Sequence, residues 1–145
     1  MLLIRCANIS AISPLCCAFM NVWAIEIHVQ KAGTLPTLLP TCSESTLKVT
    51  GTINGTDVKH LRQLIGAGVT SLDLAGVKIV SGGVAYDGTN KTENDVIGTA
   101  MFKECTKLRS IELPTSISAI HSNAFARSGL TKVDIPNSVS RLGGD

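Results

Sequence analysis

Apolar side chains return at a fixed long interval in the C-terminal third of the chain. Ile97-Gly98, Ala100, Phe102, Cys105, Leu108, Ile111, Leu113-Pro114 and Ile117 are answered by Ile120, Ala124-Phe125, Ser128, Leu130, Val133, Ile135-Pro136 and Val139. The offset is 23 residues up to Phe125 (125 minus 102) and 22 beyond it (133 minus 111), so one residue is lost between Phe and Leu. A third copy opens at Leu142-Gly143. A period of this size belongs to stacked coils, each contributing one short strand and one irregular return whose apolar side packs on the next coil. Phe102 and Phe125 then form an aromatic rung, while Pro114 and Pro136 stop the strands they follow.

A weaker pair lies upstream, where Leu47–Ile53 matches Leu72–Ile79 at an offset of 25 (72 minus 47). Between them Thr56 is placed to cap a helix from Asp57 to Ile65, with Val58, Leu61 and Ile65 on one face and Gly66 near its stop. Ile25–Val29 alternates apolar and polar as a strand does, and Thr34 before Leu35-Pro36 suits a short helix ending at Leu39. These segments cover the first face of the stack. The pattern predicts parallel strands at Leu47–Val49, Leu72–Leu74, Ile111–Leu113 and Val133–Ile135 in one sheet, with Phe102, Phe125, Leu108, Leu130 and Cys105 inside.

The stretch I-G-T-A-M-F-K-E-C-T-K-L-R-S-I-E-L-P-T-S-I from Ile97 resembles the BspA-type leucine-rich repeats of bacterial surface proteins. It departs from that pattern in placing Met101 between Ala100 and Phe102, and its second copy has Ser128 for the cysteine. The region from His28 to Gly83 is similar to the N-terminal part of exported members. The fold class that follows is α/β, a leucine-rich-repeat solenoid with a short parallel sheet, irregular or helical returns and an N-terminal capping region. The resemblance implies surface display, adhesion or protein binding, and it brings no catalytic residues with it.

Composition narrows the function further. The 145 residues carry 13 basic and 11 acidic side chains, a formal charge of +2, with five aromatic residues and no basic cluster, so nucleic acid has neither an electrostatic nor a stacking platform here. Met1–Ala24 has one basic residue, no acidic one and an apolar middle from Ala11 to Met20, and Val22-Trp23-Ala24 suits a signal peptidase cut after Ala24. The expected organisation is a signal peptide over 1–24, a capping region over 25–66, and repeats over 67–145 with an inserted loop at 81–95 and a truncated C-terminal end. The expected location is secreted or cell surface, with no membrane span once the signal is removed. Three of the five cysteines lie in the first 17 residues, so Cys42 and Cys105 form no disulfide framework and are expected as two buried thiols rather than a bridge.

A search for chemistry returns little. His28, His60 and His121 have no Cys or Asp at ligand spacing, no G-x-S-x-G occurs, and Gly66-Ala67-Gly68 has Ser71 where a dinucleotide loop needs its third glycine. Neither an enzyme, a cofactor nor a metal site is therefore expected. The acidic and amide groups of Ser81–Asp95 put Lys91 where a calcium loop needs an oxygen, which favours a flexible surface insertion, with Tyr86 and Asp87 exposed as contact residues. The second candidate surface is the outward row Lys48, Asp73, Glu112 and Asp134, either an acidic stripe awaiting a basic partner or an ordinary solvated face whose repulsion Lys132 relieves, beside a column of Thr46, Ser71, Ser110 and Lys132. The expected partner is a protein on a host or neighbouring cell. A structural capping fragment of a longer repeat protein is the competing expectation, with self-association through an open last repeat.

Overall fold

The computed structural model describes residues 4–6 and 24–143. The expected signal segment therefore lies outside the described residues, except for a strand β1 (Ile4–Cys6) and Ala24, which is buried and opens β2. The elements that follow are β2 (Ala24–Val29), α1 (Leu35–Leu38), β3 (Thr46–Ile53), α2 (Gly55–Ala67), β4 (Ser71–Ile79), β5 (Val96–Ile97), β6 (Ser110–Glu112), β7 (Ala119–Ile120) and β8 (Arg141–Leu142).

Two sheets organise the chain. The larger runs β1-β2-β3-β4-β6, parallel throughout except for the antiparallel β1–β2 pair. Its register puts Ile25, Leu47, Leu72 and Ile111 opposite one another, and all four side chains point to the core. Strand pairing thus reproduces the Leu47–Leu72 offset read from sequence. The smaller sheet, β5-β7-β8, aligns Ile97 with Ile120 and Leu142, as the two repeat offsets require.

Between the sheets the returns of successive coils bond backbone to backbone. Ala100, Phe102 and Glu104 donate their N–H groups to the carbonyls of Ser122, Ala124 and Ala126. Ala100 and Asn123, like Glu104 and Arg127, are 23 positions apart and all four take positive φ. Left-handed backbone is thus a repeated device for turning each coil. The Phe102 and Phe125 rings stack with centroids 5.9 Å apart, which is the aromatic rung expected.

The N-terminal half shows why α2 starts where it does. Its N-cap is Asn54, not the expected Thr56: the Asn54 side chain accepts from Thr56 N, and the Asp57 carboxylate accepts from Asn54 N at 2.9 Å. Asp57 is fully buried and also accepts from Leu35 N at 2.9 Å and from Gly33 N. One carboxylate therefore fastens α2 to the loop that leads into α1. Thr34, in contrast, makes no side-chain cap for α1; its hydroxyl donates to Lys31 O. Gly51 allows β3 to approach β2, since a Cβ there would sit 2.2 Å from Val29 O.

The last expected strand is a correction. Val133–Ile135 is not a strand, and β6 closes the larger sheet. Among the described residues no layer packs on the far side of this coil. Phe125 and Leu130, expected inside, are accordingly only partly buried, whereas Phe102, Leu108 and Cys105 are in the core. Ile135 is 47% exposed and Leu142 61%.

Two outcomes check this arrangement. Amide hydrogen exchange at Val133–Ile135 is expected to be faster than at Leu72–Leu74, and equal protection would contradict the missing layer. Asp57→Ala leaves three backbone donors without their acceptor and is expected to lower the unfolding free energy by about 3 kcal/mol, read from denaturant midpoints.

Candidate functional site

The solvent face of the larger sheet carries one charged row. Register places Glu26, Lys48, Asp73 and Glu112 side by side on β2, β3, β4 and β6. Neighbouring strands lie about 4.8 Å apart, so Lys48 stands between two carboxylates while Asp73 and Glu112 adjoin each other. No ion pair among the described residues involves any of the four. Glu26 escaped the sequence reading, although aligning Ile25-Glu26-Ile27 on Leu47-Lys48-Val49 would have found it.

Asp73 has a second duty. Between Lys48 and Thr50 the register slips, with Thr50 opposite Gly76, so β4 bulges, and Asp73 Oδ1 accepts from Ala75 N at 2.9 Å. Asp134 and Lys132 do not join the row. They lie outside the sheet and pair with each other at 2.9 Å, both more than 70% exposed, which makes a weak surface contact. The stripe expected over four strands is thus shorter at one end, because Val133–Ile135 does not pair, and longer at the other. Beside it Ser110 Oγ donates to Ser71 Oγ at 2.7 Å in the column that also holds Thr46; Lys132 is absent from it.

The 81–95 segment is not the loose insertion expected. Gly55 N donates to Gly82 O, Val84 N to Thr56 Oγ1, and Ser81 N to Asn94 Oδ1, while Gly82 bridges Thr92. These bonds fold the segment over the start of α2. Tyr86, expected to be exposed, is 2% exposed: its ring is part of the core and its hydroxyl donates to Thr99 O at 2.7 Å. Gly98 makes room for it, since a Cβ there would meet the phenol oxygen at 2.6 Å. Tyr86 is therefore a packing residue that holds the segment against the first repeat.

Asp87 is exposed, as expected, but its carboxylate is engaged locally. Oδ1 accepts from Thr89 N and Asn90 N, and Oδ2 from the Asn90 amide. Partial burial raises its pKa, but the two donors of Asn90, the Thr89 N–H and the Arg62 charge outweigh that and hold it below the usual aspartate value.

Two of the histidines have structural partners. His60 Nε2 lies 2.6 Å from Leu39 O, and His28 Nδ1 lies 2.9 Å from Thr50 Oγ1. Cys42 and Cys105 are free and buried, and burial pushes both thiols above the ordinary cysteine pKa. No group of three or more His, Cys, Asp or Glu side chains among the described residues has the geometry to hold a metal ion. No helix among them is long and apolar enough to cross a membrane.

Stacked short parallel strands and returns that repeat at 22 to 23 residues define a repeat-built fold with one polar sheet face. Residues 89–145 match the family model described as "BspA type Leucine rich repeat region (6 copies)". The repeats read from sequence are thus of the BspA type over that stretch, which begins inside the 81–95 segment and includes both copies. No curated protein matches the chain.

Tyr86 supplies a direct check on the packing of the loop, because it is the only tyrosine. Burial first, then the Asp87 charge, push its phenol up from 10 to about 12, against the pull of Arg62. The folded protein thus keeps a proton that the unfolded chain releases near pH 10. Its contribution to stability is complete below that pH and is lost as pH rises toward about 12. Absorbance titration of native protein is expected to show phenolate only as the pH nears about 12, or together with alkaline unfolding. Ionisation near 10 with the fold intact would mean that the ring is in water.

Proposed function

We propose that the chain is an exported leucine-rich-repeat module that binds another protein through the solvent face of its larger sheet and performs no catalysis. The observation that carries this reading is the row Glu26, Lys48, Asp73 and Glu112, set in register on four parallel strands whose other face is core. Leucine-rich repeats act mostly as interaction surfaces, and BspA-type members are generally exported or surface-associated. That supports a secreted or cell-surface protein that adheres to a host or neighbouring cell. The coils form a solenoid in this reading, with β2, α1 and α2 capping its first face. Asp73 and Glu112, adjacent and in no ion pair, favour a basic segment on the bound protein.

A second reading, a structural capping piece of a longer repeat protein, is favoured by the exposure of Ile135 and Leu142. Appending a further repeat would then raise protection at Val133–Ile135, and self-association through that end would fall.

The binding reading is tested by secretion and by surface exchange. The extracellular protein is expected to begin at Ile25 on N-terminal sequencing. In solid-phase assays against purified extracellular-matrix proteins, a bound partner is expected to lose roughly tenfold in affinity with Asp73→Asn and Glu112→Lys combined, and to weaken as salt is raised. Intact Met1 on extracellular protein would remove the signal peptide, and binding indifferent to both substitutions would remove the sheet face.

A further inference from the structure

Away from the sheet face, α2, the 86–90 turn and the return of the first repeat enclose a half-open groove of about 440 Å³. That size falls within the range of small-molecule sites. It lies at a junction of two different structural segments, which is where ligand sites tend to form. Arg62 enters it from α2, Asp87 and Asn90 from the turn, and Lys103 and Glu104 from the repeat. Arg62 is fixed in place, its Nη1 donating to Met101 O at 2.7 Å and to Ala100 O at 3.2 Å.

The charges of this groove are unequally matched. Both anions have partners: Asp87 takes three local donors, and Glu104 pairs with Arg127 at 3.2 Å. Of the two cations only Lys103 has none: Arg62 is held by two carbonyls, and its charge acts on Asp87, helping to lower the pKa of that carboxylate. Among the described residues no carboxylate lies within ion-pair distance of Arg62 or Lys103, and the ammonium of Lys103 makes no hydrogen bond. A smaller hollow of about 130 Å³ shares Arg62, Lys103 and Glu104 and adds Lys107, a third cation, whose Nζ donates to Gly66 O. The groove therefore presents one unpartnered ammonium, that of Lys103, beside a guanidinium whose fork suits an oxyanion.

The rest of the lining tells what kind of anion fits. Thr89, Asn90, Thr99 and Asn123 supply hydroxyl and amide groups, and Ala100 is the one apolar side chain. An aromatic or fatty anion would find no wall to bury against, whereas a polyhydroxylated one finds hydrogen-bond partners around the charge. We propose that this groove binds an acidic sugar, a uronate or a sugar sulfate, with its oxyanion between Arg62 and Lys103 and its hydroxyl groups on the amides of the turn and the repeat. The site is separate from the sheet face, so a protein partner and an anionic glycan are bound by different residues.

Titration of the full chain with glucuronate, glucose 6-sulfate, glucose and tetraglutamate, followed by saturation-transfer NMR and calorimetry, tests the proposal. Both anionic sugars are expected to bind and glucose to bind at least roughly tenfold more weakly, with affinity falling as salt rises. Lys103→Glu is expected to abolish binding and Lys103→Arg to retain it. Lys103 has no structural partner, so its variants keep the fold, which the alkaline titration of Tyr86 verifies. Asp73→Asn with Glu112→Lys is expected to leave sugar binding unchanged, which separates this site from the sheet-face reading. Equal binding of glucose, no binding of either anionic sugar, tighter binding of tetraglutamate, or indifference to Lys103→Glu would each overturn the proposal.

Discussion

The buried carboxylate of Asp57 is the contact on which the rest of the N-terminal half depends. It accepts backbone N–H groups from Gly33 and Leu35 in one loop and from Asn54 in another, two segments well apart along the chain. By holding Asn54 it completes the box that starts α2, and by holding Gly33 and Leu35 it seats α1 against that helix. A buried charge is tolerable only when hydrogen bonds replace its hydration, and here three donors do so. The consequences continue outward. With the start of α2 fixed, Gly55 N and Thr56 Oγ1 take hold of Gly82 and Val84, and the 81–95 segment folds down so that Tyr86 enters the core. Further along the same helix, Arg62 is thereby brought to the carbonyls of Ala100 and Met101, which joins the helix to the first repeat.

Beyond that junction, order is carried by repetition. Each coil offers one inward apolar residue per ladder position, and the parallel register stacks like on like: Ile25, Leu47, Leu72 and Ile111 in one ladder, Ile97, Ile120 and Leu142 in the other. Such a stack is stabilised by nearest neighbours, so a coil with one neighbour is held less firmly than a coil with two. Phe102 is fully buried between layers, while its repeat partner Phe125, stacked on it from one side, is only partly covered. The same asymmetry explains why Ile111 is in a strand and Val133 is not.

Much of this was legible from residue spacing. Where an element is fixed by periodicity the reading held: the repeat offsets, the Leu47–Leu72 alignment, the apolar face of α2, the aromatic rung and the buried thiols all follow from which positions are apolar and how far apart they stand. It failed where one side chain chooses between near-equivalent partners. Asn54 and Thr56 are both good N-caps, and only the position of Asp57, three residues after Asn54, separates them. Tyr86 sits among Gly, Asp and Asn in a segment that reads as loop, and nothing local announces that its ring is core. That depends on Gly98, twelve positions on, having no side chain. Asp73 reads as a surface charge, yet a bulge in β4 gives it a backbone donor. The groove around Arg62 was not legible, because its walls come from three segments that are distant in sequence and meet only once α2 is docked.

The two surfaces differ in the sign of what is left unpaired. On the sheet face Asp73 and Glu112 adjoin and neither makes an ion pair, whereas in the groove Lys103 lacks an anion. A net charge of +2 conceals this separation, because the opposite charges lie on different elements and do not neutralise one another locally. Fields of this kind are screened beyond about 8 Å at physiological salt, so each surface acts on its own ligand with little influence on the other. The same helix still links them mechanically. Asp57 fastens the start of α2 to the loop that leads into α1, and Arg62 joins the same helix to the repeat. A ligand held by Arg62 and Lys103 would therefore stiffen the junction between α2 and the first coil without touching the residues that face a protein partner.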